Sequence, residues 1–387
     1  MKYFILTLLV ITLANCNLAE TDEILVVQQN ILNAYLNGPT EPLFKAFHGI
    51  FEKPYEINSE LGMHRYNVFL NNLNLIKEHN EQNLSWKMGL NEFADLSEQE
   101  FKQRTGSEGL EDDLKEMIKS AENEKQFLEK FDEVEEPSNL SETIYPEVDH
   151  TKFLAPVQDQ STCGMCYAFA TAAAIEANCN IQRFAKGLPA ITRISQQQIG
   201  ECYNDNLACK GGWMQKVMAK SVASTTQVNG FYANSDYPYK AQSLTCNAAF
   251  LKTKTVQVNL NPSSPYEGCD DGYFVRGRKC TKAIYHSILS KGPVTVVYEA
   301  STLRFFSSGI IDASRYGSTV CNKTEHAIYC YKWGHARTAS GEIKEYLQCR
   351  NSWGTRWGES GDFRVFYNDI NRTCYLTALA AKPNTLC

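Results

Sequence analysis

Cys163 and Cys166 stand three apart in QSTCGMCYAF, with Gly164 and Met165 between them. That spacing suits three chemistries: a dithiol redox pair, half of a zinc site, or a structural cysteine beside a catalytic thiolate. A redox pair belongs to a short strand–helix unit in a thiol-exchanging setting. Here the pair lies in a region of about 240 residues that carries eleven further cysteines. A zinc site would draw on Cys202 and Cys209, whose separation of seven is wider than a zinc knuckle uses. An oxidising compartment also works against free thiolate ligands.

The third chemistry makes Cys166 a nucleophile, and its needs can be stated one by one. The thiolate is the reactive form, and a helix N-terminus favours negative charge. A histidine must take the thiol proton and return it to the leaving amine. A third group must orient that histidine, and an amide donor must meet the charge that develops on the attacked carbonyl oxygen. Gln160 lies six residues before Cys166, His326 opens the apolar run HAIYCY, and Asn351 follows 25 residues later in RNSWGTRWG. Singly these are a packed histidine and a turn asparagine. Their order and spacing together point to one site.

The elements that would position them can be read from periodicity. After Gly164 the run MCYAFATAAAIEANCNIQ is rich in alanine and free of Pro and Gly, which predicts a long buried helix beginning near Cys166. Residues 292–300, 325–333 and 346–353 read as strands. Earlier in the chain, Arg65, Phe69, Asn72, Ile76 and Asn80 fall on one helical face within a helical region from 27 to 104. Gly89, Asn91, Phe93 and Asp95 alternate as an extended segment would. Residues 108–136 hold twelve Asp and Glu against four Lys. Helical spacing persists there at Leu114, Met117, Ile118 and Ala121, and residues 106–142 read as an exposed, partly helical linker rather than a third domain, open to proteolysis.

Bulk features place the chain. MKYFILTLLVITLANC has the charge and short apolar run of a signal peptide, with cleavage near Cys16–Ala19. A lipid-modified Cys16 is the minor alternative, and no other stretch is long enough to span a membrane. Of fourteen cysteines, thirteen follow the signal, so an oxidising compartment would leave one free. Acceptor motifs for N-glycosylation occur at Asn83, Asn139, Asn322 and Asn371. Residues 1–145 carry 12 Lys and Arg against 26 Asp and Glu, whereas residues 146–387 carry 26 against 18. This contrast suggests an acidic segment docked on a basic domain and weakened when carboxylates protonate. No clustered basic run speaks for nucleic acid.

With these residues in view, the chain resembles a papain-like cysteine protease of the cathepsin L type. CGMCY, PVQDQ, CKGG, GPVTVV, EHAI and NSWGTRWGESGDFRV carry the resemblance in the C-terminal part. The Arg65–Asn80 series and GLNEFAD resemble the inhibitory prosegment of such zymogens. The resemblance implies an α+β, two-lobed papain-like fold, with a helical left lobe and a β-barrel-like right lobe, behind a mainly helical prodomain. It implies a signal peptide at 1–19, an inhibitory prodomain at 27–104, an acidic processing linker at 105–144 and a peptidase domain at 145–387, starting at Tyr145 or Pro146.

By the same resemblance Cys166 is the nucleophile, His326 the acid–base partner and Asn351 its orienting group, shielded by Trp353. Gln160 and the Cys166 N–H form the oxyanion hole. Gly211 and Gly212 let substrate backbone approach, and Trp213, Met214, Val297, Ala327 and Leu379 surround an apolar specificity pocket. The implied disulfides are Cys163–Cys209, Cys202–Cys246 and Cys321–Cys374. Cys269 and Cys280 bracket a loop and are expected to pair. Cys330 and Cys349 fall on strands that could be neighbours, and Cys179 and Cys387 are left unassigned.

The implied partners are protein and peptide substrates and the chain's own prosegment, on a monomer without metal or cofactor, in a lysosome, vacuole or extracellular space. The absence of a His-rich occluding loop favours endopeptidase action. Three residues depart from the pattern: Tyr167, Met165, expected to alter a primed-side or adjacent subsite, and Leu61 in the first Glu position of the prosegment helix. A storage or binding relative would usually lose the Cys or the His, and here Gln160, Cys166, His326 and Asn351 are all present.

Overall fold

The computed structural model describes residues 22–105, 143–203, 207–223, 228–270, 280–312, 326–338, 341–367 and 379–387. The signal segment with Cys16, the Leu114–Ala121 spacing, Asn139, Asn322, Asn371, Cys321 and Cys374 lie outside the described residues. Among the described residues no helix is long and apolar enough to cross a membrane.

The chain divides into two units. The first combines the N-terminal region up to Phe101 with Ser301–Ile310 and Trp353–Phe363. Its helices are Asp22–Ala34, Thr40–Ile50 and Glu60–Glu81. Ser59 starts the third: its hydroxyl accepts the Gly62 N–H at 3.0 Å, as an N-cap serine does. Phe69, Leu73 and Ile76 are fully buried on this helix, with the rings of Phe44 and Phe47 5.2 and 5.0 Å from Phe69.

The polar members of the same helical series reach across to the GLNEFAD segment. Asn72 Nδ2 donates to the carbonyls of Ala94 and Leu96, and Asn80 exchanges two hydrogen bonds with the Met88 backbone. Arg65 donates to the Asp95 carbonyl and pairs with Glu100 at 2.7 Å. Leu61 points to solvent at 50% exposure, so Arg65 takes its carboxylate partner from a distant part of the chain.

One expectation is corrected here. GLNEFAD is extended only to Asn91, and residues 92–95 are turns. The Asn91 side-chain oxygen accepts the Phe93 N–H at 3.0 Å, and the Ala94 N–H bonds the Asn91 carbonyl. An asparagine that bonds the backbone two residues on imitates a turn, and strand-like alternation of residue types does not reveal it.

The strand Trp86–Met88 runs antiparallel to Phe306–Ile311, with Trp86 opposite Gly309. A Cβ on Gly309, at φ +101°, would stand 2.5 Å from the Ser85 carbonyl, so only glycine fits this crossing. Asn91 Nδ2 donates to the Arg304 carbonyl at 2.7 Å, and the Arg304 guanidinium donates to the carbonyls of Phe93 and Leu96. Trp353 meets Phe93, Phe101 and Trp357 edge to face at 5.2 to 5.4 Å.

The second unit holds Lys102–Ala300, Ile311–Ser352 and the chain from Arg364. Its central helix is Cys166–Ala185, buried along most of its length. Beside it lies an antiparallel sheet in the order Ile343–Arg350, His326–Arg337, Val294–Tyr298, Leu379–Pro383, Tyr266–Asp270. The register sets Tyr298 opposite His326 and Val297 opposite Ala327.

The strand expected to continue to Trp353 ends at Arg350. At Asn351 the side-chain oxygen takes the Ser352 N–H at 2.7 Å, and this local bond replaces the ladder. Disulfides join Cys163–Cys209, Cys202–Cys246, Cys269–Cys280, Cys330–Cys349 and Cys179–Cys387. Cys166 is the free cysteine among the described residues.

Candidate active site

Cys166 is the first residue of the central helix, and its thiol is buried at 1% exposure. Two backbone groups hold the sulfur. The Ala327 N–H donates to Sγ at 3.4 Å, and the thiol donates to the Thr105 carbonyl at 3.4 Å. Ala327 follows His326 at the start of its strand, so the register that pairs Val297 with Ala327 brings the sulfur to the histidine's end of the sheet.

The tautomer of His326 follows from its neighbours. The Ser352 N–H donates to Asn351 Oδ1, which fixes that atom as an acceptor. The same oxygen lies 2.7 Å from His326 Nε2, so Nε2 carries the hydrogen. Nδ1 is then the basic nitrogen of the neutral ring, the form able to accept a thiol proton.

Gln160 is held through Ser352. Its N–H donates to the Ser352 carbonyl at 2.8 Å, and its side-chain oxygen accepts the Ser352 hydroxyl at 2.6 Å. That leaves the amide nitrogen facing inward, where it donates to the carbonyls of Cys163 and Arg104, each at 3.0 Å. The Tyr239 hydroxyl donates to the Gln160 carbonyl at 2.7 Å. Residues Arg104 and Thr105, at the end of the helix Glu98–Thr105, therefore present successive carbonyls to Gln160 Nε2 and Cys166 Sγ.

Burial dominates the electrostatics of the site. Burial pushes the Cys166 thiol up to about 11, against the lowering effect of the Ala327, Tyr167 and Cys166 N–H groups. Burial pushes the His326 imidazole down to about 4, partly offset by its bond to Asn351. Removing water disfavours both charged forms, so burial favours the neutral thiol and the neutral imidazole.

The other expected residues fall as follows. Trp213, Met214, Val297 and Ala327 join Cys166 in one buried cluster. Gly211 and Gly212 are buried, Gly211 at φ +101°, in the loop after Cys209 that lies against Gly164. Leu379 opens the strand Leu379–Pro383. Trp353 belongs to the first unit, among the rings described above.

Cys163 is bonded to Cys209 and Cys202 to Cys246, so neither a dithiol pair at 163 and 166 nor a thiolate zinc set at these positions is present. The Met165 side chain is turned towards Gly200. It is fully buried and packs on Gly200, because the helix Gln196–Cys202 leaves a gap where a side chain would stand.

Sequence reasoning missed Ser352, Tyr239 and the pair Arg104 and Thr105. Ser352 had a signal, since it follows Asn351 directly. The others are joined to the site only by contacts across 56 to 79 residues.

A family model described as Papain family cysteine protease matches residues 145–383, and one described as Cathepsin propeptide inhibitor domain (I29) matches residues 44–101. The chain belongs to the papain family of cysteine proteases and carries a propeptide inhibitor domain ahead of the peptidase domain. It is 31% identical to Cysteine protease XCP2 of Arabidopsis thaliana over 89% of this chain and 83% of that protein. It is 31% identical to caricain of Carica papaya, over 83% and 80%. The digestive procathepsin L2 proteinase from Tenebrio molitor larval midgut superposes with a TM-score of 0.66 at 22% identity, over 89% of this chain and 99% of that one. That likeness shows the papain-like fold, with its mixed helices and sheet behind a helical N-terminal region.

Proposed function

We propose that the chain is the zymogen of a cysteine endopeptidase of the secretory pathway, inhibited by its own N-terminal region until that region is removed. In this reading residues 1–19 are a signal peptide, 27–104 the inhibitory prodomain, 105–144 the processing linker and 145–387 the peptidase. The pairing of ten cysteines supports an oxidising compartment, and Tyr145, whose N–H donates to Glu345, supports the peptidase boundary.

Once Arg104 and Thr105 leave, water and substrate reach the site. Cys166 passes its proton to His326 Nδ1, and the sulfur attacks the scissile carbonyl carbon. The charge that moves to the carbonyl oxygen is met by Gln160 Nε2 and the Cys166 N–H at the helix start. His326 returns the proton to the leaving amine as the C–N bond breaks, which leaves a thioester on Cys166. Water then gives a proton to His326 and attacks the thioester, and the proton goes back to the departing sulfur. Asn351 keeps Nε2 protonated and the ring aligned throughout. Trp213, Met214, Val297, Ala327 and Leu379 give an apolar pocket that favours a bulky aliphatic or aromatic residue two positions before the scissile bond.

One observation carries the reading: Gln160 Nε2 and Cys166 Sγ bond consecutive backbone carbonyls of the same segment, as they would address a substrate's backbone. The test is to incubate the purified chain in acid, sequence the new N-terminus and profile cleavage of a peptide library. A profile dominated by Arg at the second position would reject the pocket assignment. Cys166→Ala should abolish hydrolysis, whereas Cys163→Ala should mainly lower stability, by about 2–5 kcal/mol.

A further inference from the structure

Between the disulfide cysteine and the nucleophile stands Met165, to which the chemistry above gives no role. It caps the central helix with its backbone alone: its carbonyl takes the Ala168 and Phe169 N–H groups at 2.8 and 3.1 Å, and no side-chain cap bond is made. Its side chain is fully buried and runs to Gly200. A Cβ at Gly200 would stand 2.7 Å from Met165 Cε and 2.8 Å from Sδ. A glycine within a helix is less favourable than alanine. Here the missing Cβ is the space that the methionine fills.

The helix that bears Gly200 is fixed at both ends. Ser195 caps its start, taking the Gln198 N–H at 3.0 Å, and Cys202 at its end is bonded to Cys246. The residues flanking Cys166 are fastened to Ala208 and Cys209. Cys163 is bonded to Cys209, and the Tyr167 hydroxyl donates to the Ala208 carbonyl at 3.2 Å. Residues 163, 165 and 167 thus anchor both sides of the nucleophile to Cys209, Gly200 and Ala208.

We propose that Met165, seated in the notch left by Gly200, is a positioning residue that fixes the first turn of the Cys166 helix and so the place of Sγ relative to His326 and Gln160. The proposal rests on Cys166 being the nucleophile. Interiors are packed too closely to absorb an added methyl without movement. A methyl at Gly200 meets the flexible end of the Met165 side chain, and the part of that displacement passed to the Met165 backbone, one peptide unit from Cys166, is what moves the sulfur.

The test compares the acid-processed wild type with Gly200→Ala, Met165→Ala, the double variant and Cys166→Ala. In Gly200→Ala the new methyl meets Met165, and kcat should fall by about 10- to 100-fold with KM nearly unchanged. The acid limb of the kcat/KM profile should also move, because the thiolate no longer sits squarely at the helix start. Adding Met165→Ala removes the clash but also the anchor, so the double variant should match Met165→Ala alone, faster than Gly200→Ala and slower than the wild type. Wild-type kcat and pH profile in Gly200→Ala, or a double variant no faster than Gly200→Ala, would overturn the proposal.

If Gly200→Ala does not fold, Met165→Ala alone decides. Its kcat must fall with KM held and the acid limb displaced, and wild-type kcat overturns the proposal. Hydrolysis surviving in Cys166→Ala would reject the nucleophile assignment itself. A silent Cys166→Ala beside a fully active Gly200→Ala would reject only the positioning role.

Discussion

The thiol of Cys166 donates its hydrogen to the backbone carbonyl of Thr105 at 3.4 Å. One residue earlier, the Arg104 carbonyl takes the amide hydrogen of Gln160. The chain's own backbone thus holds the two atoms that would attack a peptide carbonyl and stabilise its oxygen. Burial of the same site raises the Cys166 thiol and lowers the His326 imidazole, which disfavours both charged forms.

Reactivity of the thiol should therefore track removal of residues 102–105. In the unprocessed chain Cys166 is pushed up to about 11, so a neutral alkylating reagent should label it slowly at pH 6 and faster only as the pH nears that value. After processing, labelling at pH 6 should rise by about tenfold for each unit by which the thiol's pKa falls. Rates at a series of pH values, before and after processing, check this.

Asn351→Ala removes the acceptor that orients His326 Nε2. The net worth of such a bond is about 1 kcal/mol, so kcat should drop by about 5- to 10-fold. His326→Ala should lose about 100- to 10,000-fold, the usual contribution of a positioned acid–base group. Steady-state kinetics on the processed variants measure both.

Acid should loosen the first unit through His79. Its ring is buried 4.0 Å from the Trp86 ring, and Nε2 has no hydrogen-bond partner among the described residues. Burial, with Lys87 adding to it, lowers the His79 pKa below 6.5 despite the Trp86 backbone bond. The unfolded form therefore binds the proton first, and stability present above about 6.5 is lost as the pH falls below it. His79→Phe should slow processing at pH 5 and leave it unchanged at pH 7, with the half-time of zymogen loss as the readout. Glu100 behaves differently. Arg65 holds it at about 2, so this bridge's contribution, present above 4.5, fades only as the pH falls towards 2.

The peptidase unit should gain stability in acid through Glu176. Its carboxyl is buried and pushed up to about 7, although Ile194 N–H donates to it at 2.6 Å. The folded form binds this proton where the unfolded form has lost it, so stability falls as the pH rises from about 4.5 to 7. Glu176→Gln should flatten that part of the profile in denaturant melts at fixed pH.

The sequence made the long helix at Cys166, the strand at His326 and the Arg65–Asn80 face legible, because buried elements leave a period in residue type. Distant pairings leave none. Arg65 finds Glu100 35 residues on, and Met165 finds Gly200 in another helix. The turn after Asn91 escapes the pattern because its alternation imitates a strand. The charge contrast between the two halves pointed to carboxylates as the acid trigger. Arg65 holds Glu100 at about 2, so this one carboxylate does not titrate near pH 5, and the buried His79, its pKa lowered by burial, is a second acid-sensitive group beside the remaining carboxylates.

The central claim is that Cys166 is the nucleophile and that the N-terminal region withholds it. A thiol-directed epoxide, applied before and after acid processing and mapped by mass spectrometry, tests both parts at once. The account predicts a single label on Cys166, formed only after processing, with peptide hydrolysis lost in proportion to labelling. Hydrolysis that persists with Cys166 fully labelled, or equal labelling of the unprocessed chain, would contradict it.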